Sequence, residues 1–344
     1  MPSLDTITDV ETLDSLLSDP SDEAIAALSK LPGDIVVLGV AGKMGPTLAR
    51  MARRAADLAG SPRRVIGVAR FSEPALEGWL QAQRIETIRC DLLDDRTVAR
   101  LPDSPLVIYM AGRKFGSSGQ EPLTWAMNAA LPVAIARRYA GSRIAAFSTG
   151  NVYGLTPVRS GGSRETDPPR PVGEYAMSCL ARERLFEHFS VAQGTKTVLL
   201  RLNYATEMRY GLLVDLARKL ASGIPIDLTM GHMNVIWQGD ANAMALASLA
   251  HAASPAAILN LAGPGPLAVR DVCESLAARM GVTVRFTGKE AADALLSDGS
   301  AGWAALGRPR VELDQMIAWT ADWVMRGGPF LDKPTHFESR DGRF

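Results

Sequence analysis

Three cysteines in 344 residues, Cys90, Cys179 and Cys273, are too few and too scattered for a disulfide framework or a thiolate metal site. Histidine is nearly as scarce, with four in all, and His232 has no partner at ligand spacing, so no metal is implied. Charge of one sign is not in excess either. The 37 Lys and Arg equal the 37 Asp and Glu, which leaves no global field to draw the chain to nucleic acid or an anionic membrane. No apolar run approaches the ~18 residues of a membrane span. The opening "MPSLDTITDVETLDSLLSDPSDE" is acidic and amphipathic, unlike a signal or transit peptide. These absences predict a cytoplasmic protein with no nucleic-acid or membrane partner. Oligomeric state is left open, a homodimer being one option.

What the chain does have is apolar content of 47%, enough for an extensive core. Residues 1–32 read as short acidic helices, an extension packed on the outside of the main fold. "DIVVLGV" is then a continuous β-branched run, the mark of a strand buried on both faces of a parallel sheet. "GPTLARMARRAADLAG" has helical spacing and a terminal glycine. Further strands are expected at "RRVIGVAR", "ETIRCDL", "PLVIYMAG", "RIAAFSTG", "KTVLLRLN" and "AAILNLAG", with helices between most of them. Alternation of this kind predicts an α/β fold, a Rossmann-type doubly wound parallel sheet. The expected dinucleotide domain spans 33–203 plus about 235–263. A smaller, discontinuous substrate domain and tail would take about 204–234 plus 264–344.

"VVLGVAGKMG" places Gly39, Gly42 and Gly45, with Lys43 and Met44 between them, where first strand meets first helix. Missing side chains let the backbone turn sharply and approach a pyrophosphate, whose charge meets the helix N-terminus. At the end of the second strand stands Arg70 rather than a carboxylate. A guanidinium there suits a 2′-phosphate, so NADP is favoured over NAD.

The ordered landmarks resemble the extended short-chain dehydrogenase/reductases, the NAD-dependent epimerase/dehydratase family, over roughly residues 34–263. They are the glycine loop, "CDLLD", "YMAG", Asn128, "FSTGNVYG" and "GEYAMSC". The resemblance implies that Asp91 and Leu92 lie by the adenine, and that Ala111, Gly112, Asn128 and Ser148 hold the rest of the cofactor. It also implies that Thr149 and Tyr175 polarise a substrate oxygen. The family's tyrosine is followed after three residues by a lysine that holds the nicotinamide ribose and lowers the tyrosine pKa. Here Cys179 stands at that position. A neutral thiol supplies none of the ~4 kcal/mol that a cation about 4 Å away gives at an effective dielectric near 20. Lys114, just past the fourth strand, is the candidate for the missing charge. Arg182, two helical turns beyond Tyr175, reads as too far along.

Family dehydratases carry an acidic pair directly after the threonine. Gly150 and Asn151 follow here, which disfavours that chemistry. Family members that bind nucleotide sugars show a basic residue before a later turn, yet no Arg or Lys stands between Lys219 and Arg270. A smaller polar substrate without a nucleotide diphosphate is therefore expected, its pocket lined by Asn151, Arg209, Asn234 and Trp237. Two functions remain. One is an NAD(P)-dependent oxidoreductase or epimerase acting on a sugar-like or sugar-acid-like hydroxy-carbonyl compound. The other is a dinucleotide-binding protein that has lost catalysis and serves as a redox sensor or assembly subunit.

Overall fold

Each β-branched run becomes a strand of one parallel sheet in the computed structural model, which describes residues 6–114 and 119–342. The strands are β1 (Ile35–Leu38), β2 (Val65–Ala69), β3 (Glu86–Arg89), β4 (Leu106–Tyr109), β5 (Arg143–Thr149), β6 (Lys196–Leu202) and β7 (Ala257–Leu261). Their spatial order is β7-β6-β5-β4-β1-β2-β3. The order reverses between β1 and β4, and a sheet of this kind opens its crevice at the carboxyl edge there.

Alternate residues of each strand feed opposite faces. Ile35, Val37, Ile108 and Ala145 pack under α2 (Asp22–Lys30), α3 (Gly45–Leu58) and α10 (Gln238–Ser248). Val36, Leu38, Val107 and Ile144 pack under α7 (Leu131–Arg138) and α8 (Gly173–Gln193). A separate core gathers Leu213, Leu216, Trp237, Leu276, Ile317 and Trp323 from α9 (Leu212–Ala221), α11 (Val269–Met280), α13 (Leu313–Met325) and the connecting segments.

The N-terminal helices keep one face exposed and bury the other against the main fold. In α1 (Val10–Leu17), Leu13 and Leu17 are fully buried in that second core. Leu28 of α2 is fully buried against the sheet. Both helices are locally specified: Asp9 caps α1 by accepting the Thr12 amide, and Ser21 caps α2 by accepting that of Ala24. Each helix then buries its apolar stripe where the sequence pattern alone could show only that such a stripe exists.

The expected single helix after β4 is broken. It runs as a short turn, Glu121–Trp125, then a π-helical segment, Ala126–Ala130, then α7. Pro132 has no N–H to give to the Asn128 carbonyl one turn back. That carbonyl accepts from the Arg182 guanidinium instead, at 3.4 Å. A π-bulge of this kind redirects a side chain, and Asn128 is turned wholly into the interior.

One buried ion pair ties α8 to the sheet. Arg201 of β6 meets Glu183 at 2.7 Å, with side-chain exposures of 2% and 0%. The Ser148 hydroxyl donates to the same carboxylate at 2.5 Å. Arg201→Met would strand a buried carboxylate and should cost about 3–5 kcal/mol. Adding Glu183→Gln should recover part of that loss, so the double variant should unfold at higher urea concentration than the sum of the single variants implies.

Candidate active site

The site begins at the turn after β1. Gly39 has φ of +85°, and a Cβ there would lie 2.8 Å from the Ala111 backbone. A Cβ on Gly45 would lie 2.2 Å from the Val40 carbonyl oxygen. Both glycines are thus demanded by the chain's own packing. Gly42 differs: its Cβ would meet only the Gly39 oxygen, at 3.4 Å, and it stands on the wall of a cavity. The first turn of α3 has no side-chain cap, so the amides that open it suit an anionic ligand. Glycine cradle and uncapped helix together fit a dinucleotide's pyrophosphate.

The cavity, about 540 Å³, lies at the carboxyl edge of the sheet over the switch point. Gly39, Gly42, Lys43, Met44 and Gly45 form one wall. Gly112, Lys114, Ser148, Thr149, Asn151 and Tyr175 form much of the rest. The three residues expected to do chemistry therefore share one space.

Tyr175 sits in the first turn of α8, with Thr149 and Cys179 beside it. Burial, reinforced by Cys179, pushes its phenol well above the ordinary tyrosine value, against the opposing pull of Arg182 and Thr149. Cys179 is fully buried against Val152, Tyr153 and Tyr175, and burial pushes its thiol up as well. Thr149 donates to the Asn151 side-chain oxygen at 3.0 Å and accepts the Asn151 amide at 3.2 Å. The Lys114 ammonium lies 5.8 Å from the centre of the Tyr175 ring and 5.9 Å from that of Tyr204. Burial brings Lys114 down to about 8, with Cys179 and Asp215 resisting.

Arg182 corrects the expectation that it lies too far along the helix. It lines the cavity beneath Gly112, whose Cβ would come within 2.4 Å of the guanidinium. Helical side chains point back toward the N-terminus, so a long arginine covers the turn before its own Cα. It donates to the Phe147 carbonyl at 2.9 Å and to the Asn128 side-chain oxygen at 2.6 Å. Asn128 in turn accepts the Arg113 amide and donates to the Arg113 carbonyl, at 2.8 and 2.9 Å. Asn128 therefore holds the loop after β4 rather than forming the cavity wall. Ser148, committed to Glu183, contributes to the wall from a fixed position.

Four other expected cofactor residues also lie off this wall. Arg70 is exposed at the end of β2, and Asp91, exposed after β3, accepts the Leu93 amide. Leu92 is buried beside Asp91, and Ala111 is buried where the backbone passes Gly39.

Of the expected substrate residues, only Asn151 reaches the cavity. Arg209 is instead clamped by Asp14 of α1 at 2.8 Å and by Glu207 at 3.0 Å, so its charge is spent on structure. Asn234 is buried, accepting the Ser297 amide and donating to the Gly263 carbonyl. Trp237 is 1% exposed and packs on Trp319, ring centres 5.3 Å apart. The position of each along the sequence did not reveal that its contacts lay inward.

Sequence reasoning missed Asn203, Tyr204, Tyr210, Gln238, Lys333 and Thr335, all on the cavity wall. Asn203 was detectable as the first residue past β6 at the carboxyl edge. Lys333 and Thr335 come from the aperiodic tail, which carries no pattern to read. Lys333 brings a cation to the wall from the tail, outside the Lys219–Arg270 stretch that carries none. The wall includes Lys43, Arg113, Lys114, Arg182 and Lys333 and, among the described residues, no carboxylate. Burial, with Lys114 and Lys333 nearby, holds Lys43 down to about 6, against Asp215 and Glu207.

The model of the NAD dependent epimerase/dehydratase family matches residues 35–211, just over half of the chain. No curated protein matches. Among solved structures, MoeE5 in complex with UDP-glucose and NAD is similar at 22% identity and a TM-score of 0.69, covering 86% of this chain and 99% of that one. UDP-glucuronic acid 4-epimerase from Bacillus cereus, in complex with NAD, is 20% identical with a TM-score of 0.69, over 85% and 99% of the two chains. The UDP-glucose 4-epimerase of Thermus thermophilus, in complex with NAD, is 21% identical with a TM-score of 0.68, over 86% and 99%. These likenesses establish the fold.

The glycine geometry separates folding from ligand binding. Gly45→Ala must displace backbone, and should destabilise the protein as well as abolish dinucleotide binding. Gly42→Ala projects a methyl group into the cavity alone. Its urea midpoint should stay close to that of the parent while dinucleotide affinity, read by calorimetry, falls at least ~10-fold.

Proposed function

Because the chain belongs to the NAD dependent epimerase/dehydratase family of enzymes, we propose that it is an NAD(P)-dependent oxidoreductase or epimerase. Its substrate would be a compact hydroxy-carbonyl compound of the sugar or sugar-acid type. The observation that carries this reading is the convergence of Tyr175, Thr149 and Lys114 on the cavity walled by the glycine loop. A bound nicotinamide would supply or accept hydride there. Gly39, Gly42, Lys43, Met44, Gly45 and the start of α3 would hold its pyrophosphate. Gly112 and Ser148 would bound the nicotinamide side, with Asn128 fixing the floor beneath. Asp91 and Leu92 would meet the adenosine end, and Ala111 would back the glycine loop at Gly39. The same 540 Å³ must serve nicotinamide and substrate together. That supports a ligand smaller than the UDP-sugars carried by the solved neighbours.

Tyr175 keeps its proton at neutral pH, since its phenol is pushed well above its ordinary value chiefly by burial. It therefore acts as a donor to a substrate oxygen. The phenolate left after proton transfer is supported by the positive charges of Lys114 and Arg182. Thr149 can give the same oxygen a second hydrogen bond by exchanging its present bond to Asn151. Lys114 thus takes over, from the loop after β4, the electrostatic part of the work done in the family by the lysine whose place Cys179 holds. A charge 5.8 Å from the ring is weaker than one in contact with the hydroxyl, so turnover should be slow.

Tyr175→Phe should lower turnover of an identified substrate by about 10²–10⁴-fold, the range for losing a positioned proton donor; full activity would exclude the role. The Lys114 charge is present below about pH 8 and lost above it, because burial lowers the ammonium pKa. The rate should accordingly fall as pH rises through about 8. Lys114→Met should be slow throughout and should flatten that limb of the profile.

Cofactor choice is assigned to Arg70. It is exposed at the end of β2, where a 2′-phosphate would be met without desolvating a carboxylate. The named neighbours hold NAD, so direct competition is the decisive measurement. NADP should bind more tightly than NAD, and Arg70→Ala should erase the difference. Tighter NAD binding by the parent protein would overturn the assignment.

A further inference from the structure

Asn203, the first residue past β6, is set beside Thr149 by the sheet itself. Thr149 of β5 pairs in register with Leu202 of β6, so Asn203 stands one residue further along the same edge. Neighbouring strands run about 4.8 Å apart, close enough for one small molecule to meet both residues with oxygens on adjacent carbons. Gly150 makes the room. A Cβ there would come 2.9 Å from the Ser297 hydroxyl and 3.3 Å from the Asn203 Cβ. Asn203 is 4% exposed and lines the cavity.

A chain of amides fixes which way its carboxamide points. The Ser297 amide donates to the Asn234 side-chain oxygen at 3.0 Å, and the Asn234 side-chain nitrogen donates to the Gly263 carbonyl at 3.2 Å. Asn234 is thereby oriented, and it turns an acceptor toward Asn203. The Leu295 carbonyl is a second acceptor on that side. Asn203 answers both with its side-chain nitrogen, at 3.4 and 3.5 Å, and reaches the Ser297 hydroxyl at 3.4 Å. Reversing the amide would set oxygen against oxygen. The nitrogen therefore faces inward, and the side-chain oxygen has no hydrogen-bond partner among the described residues. Burying an acceptor costs free energy unless a donor meets it. The nearest wall hydroxyls do not supply one, since Thr149 donates to Asn151 and Ser148 to Glu183.

Resting on the oxidoreductase or epimerase reading above, we propose that the Asn203 side-chain oxygen accepts a hydrogen bond from a substrate hydroxyl. That hydroxyl stands on the carbon next to the one whose oxygen meets Thr149 and Tyr175. Asn203 is then a specificity residue, and Asn234 a positioning residue behind it. The site selects a vicinal hydroxy-carbonyl or diol, because a compound without the neighbouring hydroxyl leaves the acceptor unmet. An amide oxygen accepts the hydrogen bond without taking the proton, so the hydroxyl is held rather than activated.

The test is calorimetry on the full chain saturated with its dinucleotide, using glucose, galactose and mannose, each with its monodeoxy analogues. For a sugar that binds, removing one particular hydroxyl should weaken binding at least ~10-fold, the effect of leaving a buried acceptor unmet. Asn203→Ala should weaken the parent sugar by a similar factor and leave that analogue within ~3-fold, so the discrimination disappears. Asn234→Leu, which frees the carboxamide to turn, should narrow the same discrimination. Dinucleotide affinity should stay within ~3-fold in both variants, which separates a substrate hydroxyl from the nicotinamide carboxamide as the donor. Asn203→Ser carries the same expectation and replaces Asn203→Ala if the latter does not fold. The proposal is overturned if no monodeoxy analogue is weakened, if none of the sugars binds, or if the discrimination survives in full in either variant. It is equally overturned if Asn203→Ala weakens the dinucleotide and spares the sugars. Failure of the parent protein to bind a dinucleotide would instead defeat the underlying oxidoreductase or epimerase reading.

Discussion

The backbone approach between the turn after β1 and the turn after β4 is the constraint on which the rest depends. At Gly39 the two turns come so close that a single Cβ would overlap the Ala111 backbone. This contact lies where the strand order reverses, and it sets the floor of the crevice. Beneath the same floor, Gly112 leaves room for Arg182, and Arg182 and Asn128 lock the carbonyls around them. Side-chain chemistry at the edge is precise because the layer below it consists of backbone contacts and bonds to backbone, which have few alternatives.

Charge is arranged in two ways around this floor. Away from the cavity, arginines are neutralised by carboxylates: the buried Arg201 by Glu183, the half-buried Arg209 by Glu207 and Asp14, and the exposed Arg310 by the buried Asp240. On the cavity wall they are gathered with no described carboxylate among them. Arg182 tolerates this because carbonyl and amide oxygens surround its guanidinium. The two lysines tolerate it by a different route, since burial lowers the pKa of Lys43 and of Lys114 and lets the charge be given up. Such a site is electrostatically prepared for anions, and its preparation weakens with rising pH.

The sheet was legible in the sequence because strands buried on both faces leave an apolar run that no surface helix imitates. "DIVVLGV" and "PLVIYMAG" became neighbouring strands, β1 and β4, and the glycines between strand and helix marked the loop. The sharing of one cavity by Tyr175, Thr149 and Lys114 was legible for a related reason: residues just past the carboxyl ends of parallel strands, and the first turn of the helix facing them, converge by topology alone. What depended on side-chain direction was not legible. Arg182 was judged by its distance along the helix, although a long side chain reaches back over the preceding turn. Trp237 and Asn234 were placed by position and turned inward, each finding a partner remote in sequence, Trp319 and Ser297. Lys333 lay beyond pattern altogether, because its position is fixed by the anchors at Leu331 and Thr335 rather than by periodicity.

Cys179 gives the site its chemical bias. A lysine at that position would stand one helical turn from Tyr175 and favour the phenolate, making the tyrosine base or acid according to need. The thiol does the reverse: together with burial it raises the phenol pKa, and it closes the space between Val152, Tyr153 and Tyr175 with apolar contact. The remaining positive charge reaches the ring from the β4 side, through Lys114, and from below, through Arg182. A site built this way holds a proton better than it removes one. With its phenol held protonated by burial, Tyr175 stands in the cavity wall as a hydrogen-bond donor.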